Sequence, residues 1–504
     1  MPTLRNPALV KECTDIATAI GADAHFVPLF ERRPPVTQPI SKEWEKGGLD
    51  GLPSDALTTF KDLAFDVLAT GTSPYRPDLD DEGRLLRLLD EELEKTYRRF
   101  YEYVYADLPY CWRLLYTDLS LLKFSLRILE NAKRPVGAAE EEVAREEGLL
   151  DELVAILDKA LILAGGAGRE RGRRVIEKLL SHLDATPSLK TSLPARFPSA
   201  RKFNPPMTKP IRVIDGMTMS AFQSYLASAG DFGPEPLVLK SLLMDWPALS
   251  SRPWSSPSYL LSRTHGGRRL VPVEVGRSYV DEGWTQELIP FKELLSRIVG
   301  TDVPEAAAAS TADENREEEK KKTTYLAQHE LFSQLPHLQN DILTPDHCFT
   351  SPPPHPLDPS KNKPELDLPL VNAWFGPAGT ITPLHTDGYH NLLCQVVGAK
   401  YLRLYSPHDS EAVCPRVEDE GGVDMSNTSA FDVGVVEGWD EDTEGRDPIE
   451  LEEFRGLRYW DCVLEEGDVL YIPIGWWHYV RSLSVSFSVS FWWNGDHFAG
   501  DGAG

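Results

Sequence analysis

The chain has 504 residues, long enough for several domains, each with its own core. Its 41% hydrophobic and 26% charged residues are the balance of a globular protein rather than a disordered one. A formal net charge of −26 repels a phosphate backbone, which argues against direct nucleic-acid binding and favours basic partners such as Arg/Lys-rich protein tails.

At the N-terminus, Lys11 and Glu12 interrupt what could have been a signal-peptide core. No apolar run reaches the roughly 18 residues of a membrane span, so no membrane partner is expected. Residues 1–183 read as an all-helical domain that could serve as an interaction module. Leu85, Leu89, Leu93, Tyr97 and Tyr101 recur every four residues. Leu150, Leu153, Val154, Leu157 and Leu161 follow the i, i+3, i+4, i+7 pattern until Gly165-Gly166 stops it. Residues 184–212, rich in Pro and Ser, read as a linker.

From 213 to 504 the texture changes to short β-branched and aromatic runs, among them RLVPVEVG (269–276), HNLLCQVVG (390–398), KYLRLYS (400–406) and GDVLYIPI (467–474). Such spacing predicts a β-sandwich or barrel. Three stretches interrupt it and are expected to be surface insertions with little order: 305–322, 351–369 and 417–453. The six cysteines are widely spaced with no C-x-x-C, which fits a reducing intracellular compartment.

The chemistry begins at TPLHTDGYHN (382–391). On an extended strand His385 and Asp387 would share a face and could grip one metal ion. Alone this is weak, because with 12 histidines on the order of one H-x-D is expected by chance. Support comes from 467–494, where a strand turns at Pro473–Gly475 and His478 opens the next strand. There Val485, Phe487, Val489 and Phe491 alternate with serines, an inward/outward code. Two histidines and one carboxylate form the facial triad of non-haem Fe(II) oxygenases, whereas structural zinc prefers four closed N/S ligands.

The stretches NAWFGPAGTITPLHTD (372–387), GAKYLRLYSP (398–407) and IPIGWWHYVRSLSVSFSVSFWW (472–493), with PVEVGRSYVDEGWTQ (272–286) and TYLAQHELFSQLP (324–336), resemble the JmjC-domain oxygenases. Within these they resemble most the subfamily of JmjC-domain-containing protein five, over about 236–493. The resemblance implies an α+β chain in which a C-terminal double-stranded β-helix (the jelly-roll, cupin-like JmjC fold) follows the helical domain. It also implies Fe(II), 2-oxoglutarate and O2. His385, Asp387 and His478 match the metal ligands. Lys400 matches the lysine that neutralises the far carboxylate of 2-oxoglutarate, a charge too costly to bury unpaired. Tyr325, Thr382 and Asn391 match its hydrogen-bonding positions, with Thr382 standing where serine is expected. Trp374 and Trp492 match residues lining the iron pocket. Glu274, Tyr279 and Trp284 match residues around the substrate side chain, and a carboxylate among aromatics suits a guanidinium or ammonium. The loop Gly388-Tyr389-His390 departs from the Pro/Gln-rich version of the subfamily.

The expected function is therefore oxygenation of a basic protein or peptide, such as a histone or a ribosomal or chromatin-associated protein, in the nucleus and also the cytoplasm. Arginyl hydroxylation is favoured, because no chromatin-reading finger is visible. Demethylation of methyl-lysine by the same chemistry is the alternative. A catalytically silent JmjC scaffold is the reading from another class, and the complete His385/Asp387/His478/Lys400 set argues against it. A cupin-type isomerase or zinc hydrolase would have no reason to carry Lys400.

Overall fold

A computed structural model describes residues 4–26, 48–72, 83–104, 107–135, 139–183, 193–280, 283–300, 323–418, 424–442 and 445–495. The tract 305–322 and residues 184–192 of the expected linker lie outside the described residues. The chain divides into two units, residues 1–189 with 268–270, and residues 190–267 with 271–504.

The first unit is helical: α1 (Pro7–Phe26), α2 (Ser54–Thr72), α3 (Arg84–Phe100), α4 (Tyr110–Lys133), α5 (Ala139–Ala164) and α6 (Arg173–His182). Residues on every side of α4 are buried, from Leu115 and Leu119 to Leu122, Phe124 and Ile128, so it forms the centre of the bundle. The α5 stripe at Leu150, Leu153, Val154, Leu157 and Leu161 is buried throughout. Gly165 and Gly166 follow at φ 70° and 61°, a left-handed stop that a side chain would strain. The α3 stripe ends sooner than its spacing predicts. The helix stops at Phe100, and Tyr101 is 75% exposed, its hydroxyl 2.8 Å from that of Tyr97. No helix of the described residues is long and apolar enough to cross a membrane.

The second unit carries the strands: β1 (Val213–Asp215), β2 (Leu237–Lys240), β3 (Leu270–Val275), β4 (Thr285–Pro290), β5 (Thr324–His329), β6 (Leu370–Gly376), β7 (Ile381–His385), β8 (His390–Val397), β9 (Lys400–Tyr405), β10 (Tyr459–Leu464), β11 (Val469–Ile472), β12 (Trp477–Ser482) and β13 (Ser486–Trp493). They form a nine-stranded sheet, β1-β2-β11-β8-β13-β6-β5-β3-β4, and a four-stranded sheet, β10-β9-β12-β7. This is the cupin-like double-stranded β-helix with added strands. Leu393, Leu402, Leu404, Leu470, Ile472 and Val480 share one cluster contributed by both sheets. A second cluster packs the large sheet against α7 (Met219–Ala227), α8 (Pro257–Arg263) and α9 (Phe291–Gly300).

The serines of β13 do not face water. Ser486, Ser488 and Ser490 are all fully buried. Phe487, Val489 and Phe491 face the helix-side core, while the serines bond polar groups on the other face. Ser490 Oγ accepts from the Trp374 indole at 2.9 Å, and Ser488 and Ser486 bond Gln395 at 2.7 and 2.9 Å. Both faces are covered, so the alternation separates an apolar interior from a polar one rather than inside from outside.

The acidic stretch 417–453 is likewise no loose appendage where it is described. Phe431, Val433 and Val436, with Phe454 just beyond, are buried against Tyr401, Tyr405 and Tyr479 on the outer face of the four-stranded sheet. Without that cover the sheet would leave a second apolar face in water. Phe454→Ala is expected to lower the unfolding free energy by about 3–5 kcal/mol, the usual cost of emptying a buried phenylalanine site. Urea titration checks it, and a change below roughly 0.5 kcal/mol would mark the segment as surface. The Pro-rich stretch 351–369 lies mostly at the surface, but His355 within it and Thr350 just before it are buried.

Candidate metal centre and cavity

β7 and β12 are antiparallel neighbours with His385 directly opposite His478, so both imidazoles leave the same face of the sheet. Their ring centroids are 4.1 Å apart. A register shift between His478 and Val480 bends the strand beside the site. β7 stops at His385, so Asp387 enters from the following loop and not from strand alternation as expected. The Gly475 N–H donates to the Asp387 carbonyl at 3.3 Å, tying that loop to the turn before β12.

The Asp387 carboxylate lies 3.5 Å from His478 Nε2 and 4.0 Å from His385 Nε2, and the three ligand atoms fall within 4.8 Å of one another. His385 Nδ1 bonds the Pro383 carbonyl at 2.8 Å, and His478 Nδ1 bonds the Trp476 carbonyl at 3.0 Å. A carbonyl only accepts, so each Nδ1 carries the proton and each Nε2 keeps a lone pair for a metal. Burial, reinforced by His385, holds His478 neutral far below its ordinary range. Burial also raises Asp387, opposed by His385. A dication among them offsets that desolvation, and two imidazoles with one carboxylate suit Fe(II) with coordination positions left open.

The three residues open on a cavity that other elements of both sheets line. Lys400 from β9, Tyr325 from β5, Thr382 from β7, Asn391 from β8 and Trp374 from β6 all line it. Lys400 is 1% exposed, its Nζ donates to the Tyr325 hydroxyl at 3.2 Å, and no carboxylate among the described residues pairs with it. Burial pulls its pKa down to about 7. The buried Asn391 Oδ1 also lacks a partner. A buried lysine with only a phenol beside it, and an amide with spare capacity, fit the carboxylates of 2-oxoglutarate. Leu393, Ile472 and Val480 complete an apolar wall that sequence reasoning did not single out.

Trp492 is not among the residues lining this cavity; it stacks on Tyr389, with centroids 5.8 Å apart. Glu274 on β3 pairs directly with Tyr325 on β5, so its side chain shares the face of a cavity residue. Burial raises its pKa, moderated by the neighbouring Trp284 indole. Tyr279, also raised by burial, feels both the Asp387 and Glu274 carboxylates. Its hydroxyl is 3.3 Å from Thr428 Oγ1. Thr428 was not foreseen. It bridges to His385, and Ser429 N–H bonds the Leu384 carbonyl at 2.8 Å, adding an edge to β7 at the metal ligand. Only the polar run SNTS (426–429) inside an acidic stretch marks it in the sequence.

A family model described as a cupin-like domain matches residues 230–497. The chain is 33% identical over 353 residues to lysine-specific demethylase 8 of Danio rerio, covering 69% of this chain and 76% of that protein. It is 39% identical over 261 residues to lysine-specific demethylase JMJ30 of Arabidopsis thaliana, 52% of this chain and 50% of that one. It is 30% identical over 433 residues to Jumonji C domain-containing protein 5 of Drosophila melanogaster, 85% and 91% of the two chains.

Proposed function

Because the chain belongs to the cupin-like JmjC family of 2-oxoglutarate-dependent oxygenases, we propose that it hydroxylates an arginine side chain of a basic protein. The observation that carries the choice of substrate is Glu274. It is mostly buried on β3 opposite the cavity residue Tyr325, near Tyr279 and Trp284 and outside the cavity lining itself, and no cation among the described residues pairs with it. A buried carboxylate without a counter-ion is costly, and a guanidinium from a substrate relieves that cost with charge-assisted hydrogen bonds.

Iron, 2-oxoglutarate and O2 supply the oxidising chemistry that puts oxygen into a C–H bond. The protein's residues do the positioning. His385, Asp387 and His478 would hold the metal on one face, and Lys400 with Tyr325, Thr382 and Asn391 would orient the cosubstrate. Leu393, Ile472 and Val480 exclude water from the reacting centre. Glu274 and Tyr279 would hold the target side chain beside the metal site. The acidic surface favours histone-like, ribosomal or chromatin-associated substrates, with the nucleus as the compartment.

Methyl-lysine demethylation is the second reading, favoured by the names of the Danio rerio and Arabidopsis relatives. One reaction offered both an unmodified Arg peptide and a methyl-lysine peptide separates the two by mass. The expected result is gain of one oxygen on the arginine peptide and no loss of methyl. Robust demethylation without arginine oxidation overturns the proposal. Glu274→Gln should lower kcat/KM for the peptide roughly 10–100-fold, the worth of a hydrogen bond to a charged group, with 2-oxoglutarate binding unchanged.

A further inference from the structure

Residues 353–366, within the stretch 351–369 expected to be a loose insertion, touch both the loop that carries Asp387 and the turn that leads into His478. His355 is 6% exposed, and its Nδ1 accepts the backbone N–H groups of Leu357 and Asp358 at 3.2 and 3.1 Å. That leaves the proton on Nε2, aimed at Gly475. Gly475 sits at φ 78°, and a Cβ there would stand 2.3 Å from His355 Nε2, so the ring packs on bare backbone. The same glycine's N–H holds the Asp387 carbonyl, and the next residue's carbonyl, that of Trp476, orients His478. On the other loop, a Cβ at Gly388 would come within 2.7 Å of Lys363 Cγ. His390 Nε2 bonds the Pro353 carbonyl at 2.9 Å, and Asn494 Nδ2 bonds the carbonyls of Lys363 and Pro364 at 2.9 and 3.0 Å.

We infer that this segment is a strap fixing the spacing of the Asp387 loop and the turn before His478, and that His355 is a positioning residue for the metal site, acting through Gly475. The inference rests on the metal role proposed for His385, Asp387 and His478. Two glycines at the points of closest approach allow contact that any side chain would block. One ring against one turn then restrains two ligands at once, as outer groups around metal ligands do.

The test titrates Co(II) into the metal-free 504-residue chain and follows its visible absorption, with thermal unfolding measured in parallel. His355→Ala should weaken Co(II) binding roughly tenfold or more, the usual cost of losing an outer-shell partner. His355→Asn, whose Oδ1 can replace Nδ1 as acceptor, should recover part of it. The control His347→Ala removes another buried histidine, bonded to the Met217 carbonyl at 2.9 Å, and should lower Tm while leaving Co(II) binding unchanged. Gly475→Ala should weaken binding by pressing into His355, and adding it to His355→Ala should cost no more than His355→Ala alone, a non-additive pair. Should His355→Ala not fold, His355→Asn and Gly475→Ala decide the matter. Co(II) binding within twofold of wild type in the variants that fold, or equal weakening in His347→Ala, overturns the strap. Asp387→Ala separates the two ideas: if it binds Co(II) like wild type, the metal assignment fails rather than the strap.

Discussion

Asp387→Ala is expected to abolish succinate formation from 2-oxoglutarate even at saturating iron. The carboxylate is the only anion among the three candidate ligands, and it lies within 4.0 Å of both imidazole Nε2 atoms. Outer-shell changes alone cost 10–100-fold in affinity or activity, so loss of an anionic ligand should cost at least about 100-fold. Stability should respond oppositely to activity. Burial raises the Asp387 pKa, so the carboxylate is a liability to the metal-free fold, and its removal should leave the apo Tm unchanged or higher. Wild type should gain Tm with added metal by mass action, and the variant should not. Calorimetry with and without metal reads both effects. A variant that turns over 2-oxoglutarate and gains Tm with metal like wild type would show the ligand to be misassigned.

Lys400→Ala should raise the KM for 2-oxoglutarate by roughly two to three orders of magnitude. Removing one partner of a buried charge pair costs about 3–5 kcal/mol, and each 1.4 kcal/mol is about tenfold. A lysine in water would be worth under about 1 kcal/mol, but this one is 1% exposed. Its pH dependence has a definite sign. Burial pulls the Lys400 pKa from 10.5 to about 7, so above that pH the empty site holds a neutral amine. Binding a dicarboxylate must then draw in a proton, and KM should climb toward tenfold per pH unit above about 7 and flatten below it. Titration of 2-oxoglutarate across pH 6–9 measures the slope. A flat profile with unchanged KM in Lys400→Ala would make the residue a bystander.

How far the site could be read in advance differs from residue to residue. His385 and His478 were legible because each sits in a long distinctive motif, and antiparallel pairing brings them opposite each other. Asp387 was legible as a ligand candidate but not in its placement, because spacing alone does not reveal that β7 ends one residue after Leu384. Thr428 was marked only by the polar run around it, and the strap's contacts were not legible at all. Their contacts join residues dozens of positions apart, and neither shows a periodicity.

By itself the sequence determined the kinds of elements, the succession of a helical and a β-rich part, and the candidate chemical residues. Strand alternation, helical stripes and glycine stops are local properties of backbone geometry. Only the tertiary structure decided what each alternation separates. The β13 serines, Phe431 in the acidic stretch and His355 among the prolines all lie in segments that read as surface, yet all are buried. Alternation reports that two faces differ, and composition reports average polarity. Whether a polar face meets water or a buried hydrogen-bond partner depends on what the rest of the chain lays over it.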